Sequence, residues 1–402
     1  MRVVIEPSQA RGTVQAPPSK SMAHRMLMGA GLAEGVSHIK NIELSEDIKA
    51  TLGILKALGC DYEFCENEVI LTGIGNQKIQ AREVLDCNES GSTLRFFIPL
   101  LLTGGEKAVF SGAKRLLERP LGIYEEICKE QGIFFQKEER TLTVRGMLKT
   151  AHYKVPGGIS SQFITGLLFA LPLLKEDSVL EILPPIESRA YIDMTLETLE
   201  MYGIQVLCEK NRFIIKGNQA YQPLTGSVEG DYSNAAFLEA LNVVGGNVKV
   251  EGLRMDSLQG DKVYQSYFER LKKEYTTIDI AECPDLGPIL IAVAAAMHGA
   301  KFTGTHRLKI KESDRGNVMA QELCKFGIQV DVDENVITVE EGKLQKPTEI
   351  LSSHNDHRIA MSLAVLCTLT GGEIENCEAV RKSFPDFYST IEKLGIQMRI
   401  EA

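Results

Sequence analysis

Six times along the 402-residue chain an apolar stretch ends at a small polar or glycine-bearing break and gives way to an alternating strand. The breaks are Glu34-Gly35, Gly104-Gly105, Glu176-Asp177, Gly245-Gly246, Gly299-Ala300 and Gly371-Gly372, spaced 70, 71, 70, 53 and 73 residues apart. After most of them a helix closes on glycine and a strand follows: Leu58-Gly-Cys-Asp-Tyr, Gln131-Gly-Ile-Phe-Phe, Tyr202-Gly-Ile-Gln-Val, Phe326-Gly-Ile-Gln-Val and Leu394-Gly-Ile-Gln-Met. Glycine suits the left-handed position that ends a helix. Polar turns at Glu66-Asn-Glu, Glu138-Glu-Arg, Lys210-Asn-Arg and Asp333-Glu-Asn then lie between alternating runs and read as hairpins. One unit is therefore helix, strand, helix, strand, turn, strand. The fourth equivalent stretch, Leu271 to Ile280, lacks the glycine and falls in the short interval, which marks a degenerate copy. Units of this size need neighbours to bury their helices. The expectation is an α/β protein of two globular domains, three repeats each, with a boundary near Gly230.

Composition narrows the function classes. Asp and Glu outnumber Lys and Arg by 54 to 44, giving a net charge of −10. The overall basic footprint of a nucleic-acid binder is therefore absent. The apolar run from Leu286 to Met297 is too short for a membrane span, and the opening Met1-Arg-Val-Val-Ile-Glu-Pro reads as a short strand rather than a signal peptide. Nine cysteines without a C-x-x-C pair point to reduced, mostly buried thiols in a cytosol. There is no phosphate loop, dinucleotide loop or G-x-S-x-G elbow. The pair His354-x-x-His357 has the wrong spacing for a zinc helix. Neither metal nor organic cofactor is expected, nor a nucleic-acid or membrane partner.

The unusual polar clusters fall at regular places on the repeat. Pro18-Ser-Lys-Ser21, Glu89-Ser-Gly-Ser-Thr93, Gly158-Ile-Ser-Ser-Gln162, Gly230-Asp-Tyr-Ser-Asn234, Pro284-Asp-Leu-Gly287 and His354-Asn-Asp-His-Arg358 each open an apolar helix. A second series opens the other helices: Ser45-Glu-Asp47, Leu117-Glu-Arg-Pro120, Ile186 to Tyr191, Gln259-Gly-Asp261, Lys311-Glu-Ser-Asp-Arg315 and Lys382-Ser-Phe-Pro-Asp386. Capping accounts for the Ser and Asp residues. It does not account for Lys20, Arg25, Arg119, Lys311, Arg315, Arg358 and Lys382, because a cation at the positive end of a helix costs a few tenths to about 1 kcal/mol. An anion held between them offsets that cost. If the repeats aim these ends at a common interdomain cleft, the cleft is basic inside an acidic protein and suits small phosphates and carboxylates.

Pro18-Ser-Lys-Ser-x-x-x-Arg25, Leu117-Glu-Arg-Pro120, Ser160-Ser-Gln162, Lys311-Glu-Ser-Asp-Arg315, Asp356-His-Arg358 and Lys382-Ser-Phe-Pro-Asp386 together resemble the signature set of the 5-enolpyruvylshikimate-3-phosphate synthase family, collinear along the chain. The resemblance implies the two-domain enolpyruvyl transferase fold, with six βαβαββ-like repeats, three per domain, and the active site in the interdomain cleft. It places residues 19–229 in the N-terminal domain. Residues 230–402 form the other, completed by an N-terminal strand from residues 1–18, so the chain crosses the hinge near 18 and 230. It implies transfer of the enolpyruvyl group of phosphoenolpyruvate to the 5-hydroxyl of shikimate 3-phosphate by addition and elimination, releasing phosphate. This is a step of the shikimate pathway of aromatic amino-acid biosynthesis, expected here in a cytoplasmic monomer without cofactor. Carried over by position, Lys20, Ser21, Arg25, Ser160, Ser161, Gln162, Ser188, Tyr191, Asp285 and Lys311 meet shikimate 3-phosphate. Lys20, Gly91, Arg119, Gln162, Arg315, Arg358 and Lys382 meet phosphoenolpyruvate. Asp285 accepts the 5-hydroxyl proton, and Glu312 or Lys20 protonates the methylene carbon.

The chain departs from the family pattern at two positions. Glu89 stands where Asn is common ahead of the Ser-Gly-Ser box, and Arg307 where Asn is common four residues before the Lys311 box; one charge of each sign enters, so a compensating pair is an expectation. The related transferase acting on UDP-N-acetylglucosamine is expected to carry a loop cysteine, and Leu116-Leu-Glu-Arg119 has none. A non-catalytic anion binder on the same scaffold has no need of Asp285, Glu312 and Lys20.

Overall fold

The computed structural model describes residues 1–401, which form two compact units: Met1–Ser19 with the chain from Gly230 onward, and Lys20–Glu229. In the Lys20–Glu229 unit three four-stranded sheets share one strand order. The strand after each break pairs on one side with a hairpin and on the other with a parallel strand. Thus Val36–Lys40 is antiparallel to Glu68–Thr72, which pairs with Asp61–Cys65. Lys107–Ser111 repeats this with Thr141–Arg145 and Phe134–Lys137, and Ser178–Leu183 with Arg212–Ile215 and Val206–Glu209. The parallel partners are Leu85–Asp86 for the second sheet, His152–Pro156 for the third and Thr225–Ser227 for the first. Each repeat thus lends its last strand to the next, and the third lends its own to the first, closing a ring. The glycines that end the helices hold the left-handed φ expected: 108° at Gly59, 68° at Gly132, 78° at Gly203 and, in the other unit, 80° at Gly327 and 96° at Gly395.

The second unit uses the same order with two corrections to the sequence reading. Residues 1–18 supply two strands, not one. Arg2–Ile5 lies between Gly372–Glu375 and Met398–Glu401, where a hairpin strand would otherwise be, and Arg11–Gln15 runs parallel to Asn247–Glu251. The fourth repeat is not merely degenerate; its hairpin is gone. Thr276–Asp279, the strand after its second helix, pairs parallel with Ala300–Thr303 and so takes the linking place. Loss of a hairpin accounts for the interval of 53 residues where the others are 70 or more.

Six apolar helices follow the linking strands: Lys20–Leu32, Gly91–Gly104, Ser161–Ala170, Tyr232–Val243, Gly287–Ala296 and His357–Thr370. They are buried on nearly every face, as befits helices without a polar side. Each unit has its own core. Leu27, Phe97, Phe163 and Phe213 are fully buried in one, Val3, Phe237, Ile289 and Leu363 in the other, each contributing about 1.5–3 kcal/mol. Side-chain oxygens of Ser90, Ser160, Asp231 and Asp356 cap four of these helices. The segments where the chain passes between units are tied together by a bridge of Pro18 to Gly230 and by Asp231 N–H donating to the Pro17 carbonyl at 2.8 Å. No helix among the described residues is long and apolar enough to cross a membrane. Six of the nine cysteines are buried, and burial pushes the Cys60 and Cys128 thiols up to about 12.

Candidate active site

In the unit that begins again at Gly230, the helix starts gather one network. Arg315, the first residue of helix Arg315–Lys325, is its hub, with a side chain 1% exposed. Its Nε donates to Asp356 Oδ2 at 2.8 Å, Nη1 to Asp285 Oδ1 at 2.8 Å, and Nη2 to Glu312 Oε2 at 2.7 Å. Lys311 Nζ lies 3.0 Å from the same Asp285 oxygen. Arg358 Nη1 donates to Ser233 Oγ at 2.7 Å and to the Asp285 carbonyl at 2.9 Å, with Nη2 3.8 Å from Asp285 Oδ2. Lys382 Nζ donates to the Asn355 carbonyl, one residue before Asp356. Asp285, Lys311, Glu312, Arg315 and Arg358 are thus brought together, and Lys382 is joined to them through the Asn355–Asp356 turn.

Burial opposes ionisation of Asp285, yet Lys311, Arg358 and Arg315 hold it well below the usual carboxylate range. Burial lowers Lys311 to about 8, against the pull of Asp285 and with the push of Arg307 and Arg315. Burial also disfavours the Arg315 charge, but Asp356, Glu312 and Asp285 outweigh it and raise the group above its ordinary value. Asp261, buried near Asp285, is pushed up to about 6 by burial and by that carboxylate, against Arg358. The arrangement keeps one carboxylate ionised among three cations, one of which, Lys311, is itself lowered to about 8. Strongly perturbed titratable groups gathered in one place mark a candidate functional site.

The Lys20–Glu229 unit carries a second array. Lys20 Nζ pairs with Asp47 Oδ2 at 2.8 Å, linking two helix starts. Arg25 is buried. Its Nε donates to Thr195 Oγ1 at 2.9 Å, Nη1 to the Ser21 carbonyl at 2.7 Å and Nη2 to the Tyr191 carbonyl at 2.9 Å. Burial lowers it to about 10, with Tyr191 opposing. Gln162 accepts from Arg95 Nη1 at 2.6 Å and donates to Ser92 Oγ at 3.0 Å. Ser160 caps the helix begun by Ser161, accepting from Gln162 N–H at 3.3 Å. Ser188 is buried in a left-handed turn, φ 57°, at the start of helix Arg189–Met201. Gly91 supports the Arg119 guanidinium so closely that an added Cβ would lie 2.6 Å from Nη1.

Two details correct the sequence reading. Leu117-Glu-Arg-Pro120 does not open a helix: Lys114–Glu118 is itself a short helix, Arg119 follows its end, and the next helix begins at Gly122. Lys382 likewise ends a 3₁₀ turn, Cys377–Lys382, ahead of helix Phe387–Lys393. Pro120 has no N–H with which to continue the Lys114–Glu118 helix. Arg307, one of the two departures, donates to the Ala281 carbonyl at 3.3 Å. His354 Nε2 lies 2.8 Å from Glu322 Oε1, and no group of three His, Cys, Asp or Glu residues placed to hold a metal occurs among the described residues.

Sequence reasoning missed Asp356, Ser233 and Asp47 as partners of the expected cations, and Arg95 as the partner of Gln162. Asp356 stood inside a quoted motif, and Asp47 was read only as a helix-start residue. Arg95 carried no signal beyond being a charge within the apolar run Leu94 to Leu102.

The comparisons with known proteins concern the family and the fold. The family model described as EPSP synthase (3-phosphoshikimate 1-carboxyvinyltransferase) matches residues 4–391. A curated 3-phosphoshikimate 1-carboxyvinyltransferase of Clostridium novyi (strain NT) is 42% identical, covering 98% of this chain and 97% of its own. One from Clostridium perfringens (strain SM101 / Type A) is 41% identical over the whole of both chains. Among solved structures, EPSP synthase from Acinetobacter baumannii superposes with a TM-score of 0.79 at 23% identity, covering both chains fully. The enolpyruvyl transferase NikO from Streptomyces tendae reaches 0.78 at 13% identity, covering 99% and 98%; at these identities the likeness concerns the fold. Model match and identity over full length both place it: the chain belongs to the EPSP synthase (3-phosphoshikimate 1-carboxyvinyltransferase) family.

Proposed function

We propose that this chain transfers the enolpyruvyl group of phosphoenolpyruvate to the 5-hydroxyl of shikimate 3-phosphate and releases phosphate. The network in which Lys311 and Arg315 share one oxygen of Asp285, with Glu312 on the same guanidinium, supports the reading beside the family match. In the addition step the substrate hydroxyl attacks C2 of the enol and gives its proton to Asp285, while Glu312 or Lys20 delivers a proton to the methylene carbon. A tetrahedral ketal results. In the elimination the new methyl group returns a proton and the C–O bond to phosphate breaks, restoring the double bond. Ser21, Arg25, Ser160, Ser161, Gln162, Ser188, Tyr191 and Lys311 serve shikimate 3-phosphate. Lys20, Gly91, Arg119, Gln162, Arg315, Arg358 and Lys382 serve phosphoenolpyruvate, whose developing charge a preorganised cationic shell stabilises. Each unit acts as one domain of a cytoplasmic monomer and supplies one of the two arrays.

Incubation with both substrates, followed by phosphate release and ³¹P spectra of the product, tests the assignment. No phosphate release, or turnover only when UDP-N-acetylglucosamine replaces shikimate 3-phosphate, would overturn it.

A further inference from the structure

A buried chain of hydrogen bonds crosses three helices beneath the second array. His24 lies one turn after Lys20, and Thr51 one turn after Asp47, so the pair of helices is joined by two successive rungs. Lys20 Nζ meets Asp47 Oδ2 at 2.8 Å, and His24 Nδ1 meets Thr51 Oγ1 at 2.8 Å. Thr51 Oγ1 continues to Thr93 Oγ1 at 2.8 Å, and Thr93 Oγ1 donates to Ser90 Oγ at 2.7 Å. Ser90 in turn caps helix Gly91–Gly104 by accepting from Thr93 N–H at 3.2 Å. All four residues are at most 1% exposed. The next residue, Gly91, is the platform of the Arg119 guanidinium.

The donor order fixes the imidazole. Thr93 gives its hydroxyl proton to Ser90, so it accepts from Thr51; Thr51 then has no proton left for the ring and accepts from His24. The ring therefore carries its hydrogen on Nδ1. Its Nε2 has no hydrogen-bond partner, so it is a bare acceptor. Burial, with Lys20 and Arg25 nearby, lowers the His24 pKa well below its ordinary value and keeps the ring neutral.

We propose that His24 is a positioning residue: through Thr51 and Thr93 it holds the helix that begins at Lys20 in register with the Ser90–Gly91 turn on which Arg119 rests. This rests on the function proposed above, in which Lys20 and Arg119 both meet phosphoenolpyruvate. His24 touches no reacting atom. Its effect is on the spacing of two cations, and errors of about 1 Å in such spacing are costly.

The test uses the full chain and three variants. Thr51→Val keeps the shape and cuts both bonds; His24→Leu fills the site without a donor; His24→Asn places an amide N–H where Nδ1–H stood. Thr51→Val and His24→Leu are expected to raise KM for phosphoenolpyruvate about tenfold, with kcat and KM for shikimate 3-phosphate within about threefold. His24→Asn is expected to restore KM to within about threefold of wild type. A role in stability alone would lower the melting temperature and leave KM unchanged, and that outcome refutes the proposal. So does an Asn variant as impaired as the Leu variant. Two readouts do not depend on turnover. Nitrogen-15 shifts of the wild-type histidines, assigned by loss of one signal in His24→Asn, must show an Nδ1–H tautomer; an Nε2–H ring breaks the chain of donors and overturns the inference. Calorimetric titration of phosphoenolpyruvate into wild type and Thr51→Val must show the same tenfold difference, and equal affinities overturn it. Absence of turnover in wild type would instead sink the proposed function, while the tautomer and the titration would still decide the role of His24.

Discussion

A methyl group added at Gly91 meets the Arg119 guanidinium before anything else: an ideal Cβ falls 2.6 Å from Nη1, 2.9 Å from Cζ and 3.0 Å from Nη2. The obstacle is the far end of a long side chain, so the fold can yield where backbone could not. Gly91 is also the first residue of its helix and its φ lies outside the left-handed region. Alanine is there the better helix former, by up to about 1 kcal/mol. Stability should therefore hold or rise. Reaching an ordinary contact of 3.4 Å moves Nη1 by about 0.8 Å. A guanidinium fork binds an anion through two aligned N–H groups, and a displacement approaching 1 Å can cost on the order of 100-fold. Gly91→Ala should lower kcat/KM for phosphoenolpyruvate by about 10–100-fold, carried mainly by KM. KM for shikimate 3-phosphate should stay within about threefold, and the melting temperature should not fall. Initial rates of phosphate release at varied phosphoenolpyruvate, with a thermal melt in parallel, measure all three. An unchanged KM for phosphoenolpyruvate, or equal losses for both substrates, would refute the reasoning.

Asp285→Asn keeps the shape but removes the base, so kcat should fall by roughly 10²–10⁴-fold while calorimetry finds shikimate 3-phosphate binding within about tenfold. Arg119→Lys should raise KM for phosphoenolpyruvate by roughly 10–150-fold, the equivalent of one charge-assisted contact. Lys114→Ala and Arg115→Ala, whose partners Glu139 and Glu118 are exposed, should stay within about threefold in the same assay. Lys311, lowered to about 8, loses its charge as pH rises through that value. The free protein should therefore take shikimate 3-phosphate less well above pH 8, and kcat/KM should show the limb in wild type but not in Lys311→Arg, which stays charged. Arg315→Gln strands Asp285, Glu312 and Asp356 without their common cation; urea melts should show a loss of about 3–5 kcal/mol, the usual cost of breaking a buried pair.

The sequence revealed the parts of the fold that rest on local chemistry. Gly132 or Gly327 ends a helix because of its own φ, and Lys210-Asn-Arg turns a hairpin because polar residues tolerate that bend, so both are visible in a window of a few residues. Closure of the rings is not local. Arg11–Gln15 looks like any polar strand, and nothing near it says that Asn247–Glu251, more than 200 residues away, lacks a partner. The same holds for the site. The contact of Arg315 with Glu312 follows from spacing along one helix start, whereas those with Asp285 and Asp356 join helix starts 30 and 41 residues away, in two successive repeats. The repeat places Leu117-Glu-Arg-Pro120 at a helix start. The short helix Lys114–Glu118 shows that the proline stops one element before the next begins.

In the proposed reaction the cations around Asp285 link chemistry to occupancy. Lys311, Arg358 and Arg315 keep this carboxylate ionised and depress its basicity. A depressed carboxylate is a poor acceptor for a hydroxyl proton, since general bases work best with pKa values near the operating pH. The same three cations are expected to meet the substrate phosphates and carboxylate. Each anion that arrives offsets part of the positive field and returns basicity to Asp285, and each pKa unit returned is worth about 1.4 kcal/mol of proton affinity. The base is thus strengthened by the binding of the molecules it acts upon. The electrostatics need no separate switch, because the groups that bind the anions are the groups that hold the base in check.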